Sequence, residues 1–87
     1  MHEHSLIADM ISKIEAIARE NHAQRVVKVR LRLGALSHMS PEHMREHFAA
    51  AAQGTLAQGA VLESELSTDI DDPRARDIVI DSVDVED

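Results

Sequence analysis

The sequence predicts an α+β domain: one small sheet of about three strands with two helices on one face, in the order α-β-α-β-β. Three observations predict it. Apolar residues recur at helical spacing from about Leu6 to Glu20, and aliphatic residues alternate with charged ones from Arg25 to Leu33. Ser40-Pro41-Glu42 then opens a second helical stretch, which two further runs of β-formers follow.

In the first stretch Ile7, Met10, Ile11, Ile14, Ile17 and Ala18 share one helical face, while Lys13, Glu15 and Glu20 occupy the other. Ser5 is placed as the cap, and Asp9 lies near the positive end of the helix dipole. Asn21 and His22 break the pattern. In the first strand Val27, Val29, Leu31 and Leu33 form the expected buried row, and Val26, Lys28, Arg30 and Arg32 the wet one. Gly34 ends it.

Ser40 can cap free amides, Pro41 is pre-set for the first helical position, and Glu42 complements the dipole. The second helix runs through Met44, Phe48, Ala51 and Ala52 to a stop at Gly54, and Gly59 marks the turn into a strand over Val61 to Leu66. A third strand is expected from Ile78 to Val85. There Ile78 and Ile80 share one parity and Val83 and Val85 the other, which a bulge near Ser82 or burial on both faces would reconcile. Between these strands, Ser67 to Asp77 contains Asp71-Asp72-Pro73 and reads as a polar hairpin tip with no apolar face.

The 87 residues suffice for one domain that buries roughly 60 to 65 % of its unfolded surface, so residues 1–87 are read as a single unit. Phe48 is the only aromatic residue, so the core must pack aliphatic side chains, and a deep pocket for a flat organic cofactor is not expected. With no Cys, thiolate zinc sites, iron–sulfur clusters and cysteine nucleophiles are excluded, and any metal must be held by nitrogen or oxygen. The net charge is −7, and ten acids lie between Glu63 and Asp87, which argues against nucleic acid as a partner. No apolar run is long enough for a membrane span and the N-terminus lacks a basic signal region, so a cytoplasmic protein is expected. There is no phosphate loop or nucleophile elbow, and an enzyme is not expected. The row Lys28, Arg30, Arg32 reads as the solvated face of a strand.

Met1-His2-Glu3-His4 carries the most chemical information. A free terminal amine, the backbone amide nitrogen of residue 2 and its imidazole close fused chelate rings on one ion. Planar nitrogen donation of this kind suits Ni(II) or Cu(II) better than tetrahedral zinc or oxygen-seeking magnesium. His4 or Glu3 could supply a fourth ligand, or a partner could. His43 and His47 form a weaker candidate pair: at i, i+4 they share one helical face and could clamp a divalent ion, or could flank the Met44/Phe48 stripe on its wet side. His22 and His38 fall in loops. Asp69, Asp71 and Asp72 lack the Gly and closing Glu of a calcium loop.

Several segments, taken together and in order, resemble the hydrogenase nickel-incorporation (HypA/HybF) family. They are Met1-His2-Glu3 with Ser5-Leu6, Arg25-Val26, Val29, Leu33-Gly34-Ala35, Ser40-Pro41-Glu42, Phe48, Gly54-Thr55, Gly59-Ala60-Val61-Leu62 and Ile80 to Val85. The resemblance implies a nickel metallochaperone for nickel–iron hydrogenase, and in some organisms urease. It implies Met1 and His2 as ligands, Glu3 as a backbone ligand or tuning residue, and nickel as transient cargo. The implied partners are the hydrogenase large subunit and a maturation GTPase. The family inserts a zinc domain with two Cys-x-x-Cys pairs where this chain has only Ser67 to Asp77, so no zinc is expected. The alternative is a metal-free adaptor that keeps the family core. Whether a second copy of the chain covers an edge of the sheet is left open.

Overall fold

In the computed structural model residues 3–87 are described, with their side chains from Leu6 onward. Helix α1 (Glu3–Glu20) leads into β1 (Arg25–Leu33), followed by α2 (Pro41–Ala51), β2 (Val61–Leu66) and β3 (Ile78–Glu86). The sheet order is β2-β1-β3, with β1 parallel to β2 and antiparallel to β3. The parallel pair follows from the connection, since a chain that returns through a helix re-enters the sheet in the same direction.

The α+β class and the element order are those the sequence predicts. Helix α1 contributes Ile7, Met10, Ile11, Ile14 and Ala18 to the core, β1 contributes Val26, Val29, Leu31 and Leu33, and α2 contributes Met44 and Phe48. All are buried, with Leu62 of β2, and Ile78, Ile80, Val83 and Val85 of β3 pack against them. On the opposite face, Lys28 Nζ lies 3.0 Å and Arg30 Nε 3.1 Å from Glu63 carboxylate oxygens, and an Arg32 guanidinium nitrogen lies 3.5 Å from Asp81. The basic row is thus neutralised by carboxylates of the strands on either side.

The structure corrects three expectations. Ser5 is not the cap, because α1 already begins at Glu3 and Ser5 lies within it. Val26, not Val27, belongs to the core: Val26 faces Val85 and Lys28 faces Asp84, so Val27 is the extra residue of a bulge that switches the row. A second shift, from Arg30–Ser82 to Leu31–Ile80, leaves Asp81 unpaired, and this bulge next to Ser82 reconciles the two parities of β3.

The third correction concerns residues 67–77. They form no hairpin tip, because β2 and β3 are separated by β1 and this segment crosses the end of β1 to join the two outer strands. It is fastened there: Ser67 N–H donates to Leu33 O at 2.8 Å, Gly34 N–H to Asp77 O at 2.9 Å and Leu36 N–H to Ala75 O at 2.7 Å. Ala75 is buried there, its backbone close against Gly34 at the end of β1. Gly34 permits it, since a Cβ there would stand 2.1 Å from Ala75 O.

Candidate metal centre

Helix α1 positions the amino-terminal candidates. It starts at Glu3, so the backbone of Glu3 and His4 forms its first turn, while Met1 and His2 lie outside the described residues. The first four N–H groups of a helix have no carbonyl partner within it. An amide nitrogen at Glu3 can therefore release its proton to solvent and bind a metal without costing the helix a hydrogen bond.

Helix α2 places the second pair. Ser40 caps it, its Oγ accepting from His43 N–H at 3.1 Å, and Pro41 and Glu42 occupy the first turn as expected. Met44 and Phe48 are buried against the sheet, which turns His43 and His47, each one residue earlier, to the flank of the helix. Their rings stack with centroids 4.5 Å apart and an interplanar angle of 17°. His47 also lines a shallow cleft with Ile7, Ala50 and Ala51, so the flank carrying the two imidazoles faces α1.

The two helices run side by side in the same direction. Ile7 lies beside His47 to Ala51, and eight positions along α1 the Glu15 carboxylate accepts from Leu56 N–H at 3.1 Å, beyond the end of α2. Both N-termini therefore lie at one end of the sheet. Leu6 shares a cleft with Ile78 and Ile80, and Ile78 pairs with Leu33, so that end is where β1 finishes and residues 67–77 cross over. The sequence shows the i, i+4 spacing of His43 and His47, but nothing in it signals that α1 lies beside them.

The other polar candidates are explained by the backbone. His22 and His38 are exposed and adopt φ of 56° and 59°, turning the chain after α1 and before α2. Asp69 Oδ1 accepts from Asp71 N–H at 3.0 Å and Asp72 Oδ1 from Arg74 N–H at 2.9 Å, so both carboxylates cap turns of the crossover. No group of three or more His, Cys, Asp or Glu poised for a metal occurs among the described residues. Nor, among them, is any helix long and apolar enough to cross a membrane.

Residues 1–70 match the family model described as hydrogenase/urease nickel incorporation, metallochaperone, hypA. The chain belongs to this family. It is 44 % identical over 66 residues to hydrogenase maturation factor HypA of Methylocella silvestris, covering 76 % of this chain and 58 % of that protein. To HypA of Rhodopseudomonas palustris it is 49 % identical over 63 residues, covering 72 % of this chain and 56 % of the relative. The chain thus spans less than three-fifths of the length of these curated relatives. Among solved structures, that of the Ni metallochaperone HypA from Helicobacter pylori superposes with a TM-score of 0.83 at 16 % identity, covering 99 % of this chain and 98 % of that one. A second HypA solution structure gives 0.77 at 17 % identity. The sequence match ends inside the crossover, whereas the fold match includes β3. HypA is a maturation factor family, and its described role is metal incorporation rather than catalysis.

Proposed function

We propose that this protein is a nickel metallochaperone for nickel–iron hydrogenase, with urease as a further client, and that it holds Ni(II) through Met1, His2 and Glu3. The observation that carries this reading is the family match over residues 1–70, which includes Met-His-Glu at the start of the chain. The chemistry agrees with it. The Met1 amine, the His2 amide and the His2 imidazole offer three nitrogen donors in a plane, and the helix start at Glu3 leaves a fourth amide nitrogen unclaimed by α1. Two helix N-termini at this end disfavour positive charge, so each amide proton released on binding lowers the electrostatic cost of the complex. Such a site suits an ion that is passed on rather than kept.

Delivery of this cargo makes the hydrogenase large subunit and a maturation GTPase the partners, in the cytoplasm. The outer strands β2 and β3 leave two sheet edges on which a second copy of the chain could pair. With no Cys, the chain offers no thiolate zinc site, and residues 67–77 take the place of the family's zinc domain.

Titration of the untagged protein with Ni(II), followed by visible absorption, tests the reading against His2→Ala and against a form with an N-terminal extension. A square-planar band saturating at one equivalent, and lost in both altered forms, is expected. Binding that survives the extension would exclude the terminal amine as a donor. No binding by the unaltered chain would leave the metal-free adaptor.

A further inference from the structure

Of the two outer strands, β2 offers the more regular edge. The ladder that β3 shares with β1 is interrupted at Val27 and Asp81, and such bulges twist an edge away from further pairing. The β1–β2 ladder runs without a shift from Lys28–Val61 to Leu33–Leu66, and β2 contains no Pro, Lys or Arg to block its outer side. Ser67 N–H, which donates to Leu33 O at 2.8 Å, fixes the phase of the strand. Backbone groups alternate in direction along a strand, so those of Val61, Glu63 and Glu65 also turn to β1, and those of Leu62, Ser64 and Leu66 turn to the open edge. Among the described residues, nothing pairs with these three across that edge.

Charge decides what the edge accepts. Residues 61–73 carry Glu63, Glu65, Asp69, Asp71 and Asp72 and no base. Glu63 is bridged by Lys28 and Arg30, whereas Glu65 makes no ion pair among the described residues; Arg32, opposite it in register, reaches Asp81 instead. Val61, Leu66 and Ile70 are 58, 50 and 64 % exposed, so apolar surface flanks these acids. We infer that the free edge of β2 receives an extended basic segment of a partner protein as a fourth strand. Main-chain bonds to Leu62, Ser64 and Leu66 supply affinity, a Lys or Arg beside Glu65 on the helix-free face supplies selectivity, and alternate apolar residues of the segment lie beside Leu62 and Leu66. On its inner edge β2 already pairs with such a strand: β1 sets Lys28 and Arg30 against Glu63 while Val29 and Leu31 enter the core. A second copy pairing β2 with β2 would face Glu63 and Glu65 with the same acids, and like charges directly opposite destabilise a sheet. This surface goes beyond the metal reading and does not depend on it.

The probe is a capped peptide of the β1 sequence, Arg25–Leu33, with a control peptide in which every Lys and Arg is replaced by Glu. Each is titrated into the isotope-labelled full chain, into Ser64→Pro and into Glu65→Lys, and backbone amide shifts are followed by NMR. Ser64→Pro removes an N–H that faces the open edge and spares the ladder to β1. Glu65→Lys keeps every backbone group and reverses the charge, so it carries the test if melting curves show that Ser64→Pro disturbs the fold. The basic peptide should shift the amides of Leu62 to Leu66, and the acidic control should not. Ser64→Pro should weaken binding at least about fivefold, as for one lost hydrogen bond, and Glu65→Lys about three- to tenfold. No shift in β2 at millimolar peptide, shifts confined to other elements, or equal binding of the acidic control would overturn the inference. So would self-association in sedimentation that Ser64→Pro abolishes, since a second copy would then occupy the edge. No readout involves nickel, so failure here leaves the terminal chelate to its own titration.

Discussion

Gly34→Ala is the substitution that most directly tests how this fold is closed. The added Cβ would lie 2.1 Å from Ala75 O, 2.4 Å from Ala75 C and 2.7 Å from Arg74 O, all of them backbone atoms. No side-chain rotation can relieve that contact, so the crossover must move away by more than about 1 Å to reach ordinary packing distance. The movement strains the bonds that fasten the crossover, Gly34 N–H to Asp77 O at 2.9 Å and Leu36 N–H to Ala75 O at 2.7 Å. Overpacking costs about 1 to 3 kcal/mol, and one weakened hydrogen bond adds about 1 kcal/mol. For a domain of this size, a loss of about 2 to 4 kcal/mol lowers Tm by roughly 10 to 20 °C. Thermal unfolding followed by far-ultraviolet circular dichroism measures it, with Gly59→Ala as control. Gly59 has φ of +80° with open space around its Cβ position, so Ala there meets backbone strain alone, about 1 to 2 kcal/mol. A Gly34→Ala protein that melts within a degree or two of the unaltered chain would refute the close approach of residues 74–75 to the end of β1.

Three further outcomes follow from other parts of the structure. Ser40→Ala removes the cap bond to His43 N–H and should cost about 1 kcal/mol, or roughly 5 °C in Tm, measured in the same melting experiment. Phe48→Ala empties the largest side chain of the α2 core stripe and should cost about 3 to 5 kcal/mol by urea unfolding, most of the stability of a marginal domain. The Glu63 carboxyl is held below its ordinary value of 4.5, first by the hydrogen bond from Lys28, against partial desolvation, and further by the Lys28 charge and by Arg30. A depressed carboxyl stabilises the fold above its ordinary value and loses that contribution as the pH falls through the lowered one. Glu63→Gln should therefore melt slightly below the unaltered protein at neutral pH, and the gap should close as the pH falls below 4.5 and through the lowered value. A gap independent of pH would assign the effect to packing.

Helix and strand positions were legible wherever one physical pattern held over several residues. The 3.6-residue period placed α1, and Ser40-Pro41-Glu42 marked the start of α2 to the residue, because cap, ring and dipole favour the same register. Legibility failed where neighbours in space decide the outcome. The bulges at Val27 and Asp81 come from pairing β1 with β3, and a parity rule applied to one strand cannot register an insertion relative to its partner. Residues 67–77 read as a hairpin because consecutive strands usually pair, yet β1 lies between β2 and β3 here, and only the sheet order reveals the crossing. The i, i+4 histidines were visible as a pair, whereas their place beside α1 depends on the parallel course of two helices remote from each other in sequence.

That parallel course has a consequence for how the site and the crossover are related. A helix that precedes or follows a strand through a short connection runs antiparallel to it, so α1 and α2 both run against β1 and their N-termini gather at its C-terminal end. The same end receives the crossover, through the bonds of Leu33, Gly34 and Leu36 to Ser67, Asp77 and Ala75. In open sheets with helical crossovers, binding sites collect beyond the carboxyl ends of the strands, where helix N-termini and loops converge. A segment inserted between β2 and β3 would therefore emerge beside the helix starts, not at a remote tip. The match to the family model, ending at residue 70, stops where such a segment would leave the core. If the site at the start of α1 holds nickel as proposed, its surroundings differ between this chain and longer relatives because the connection at its own end of the sheet is short.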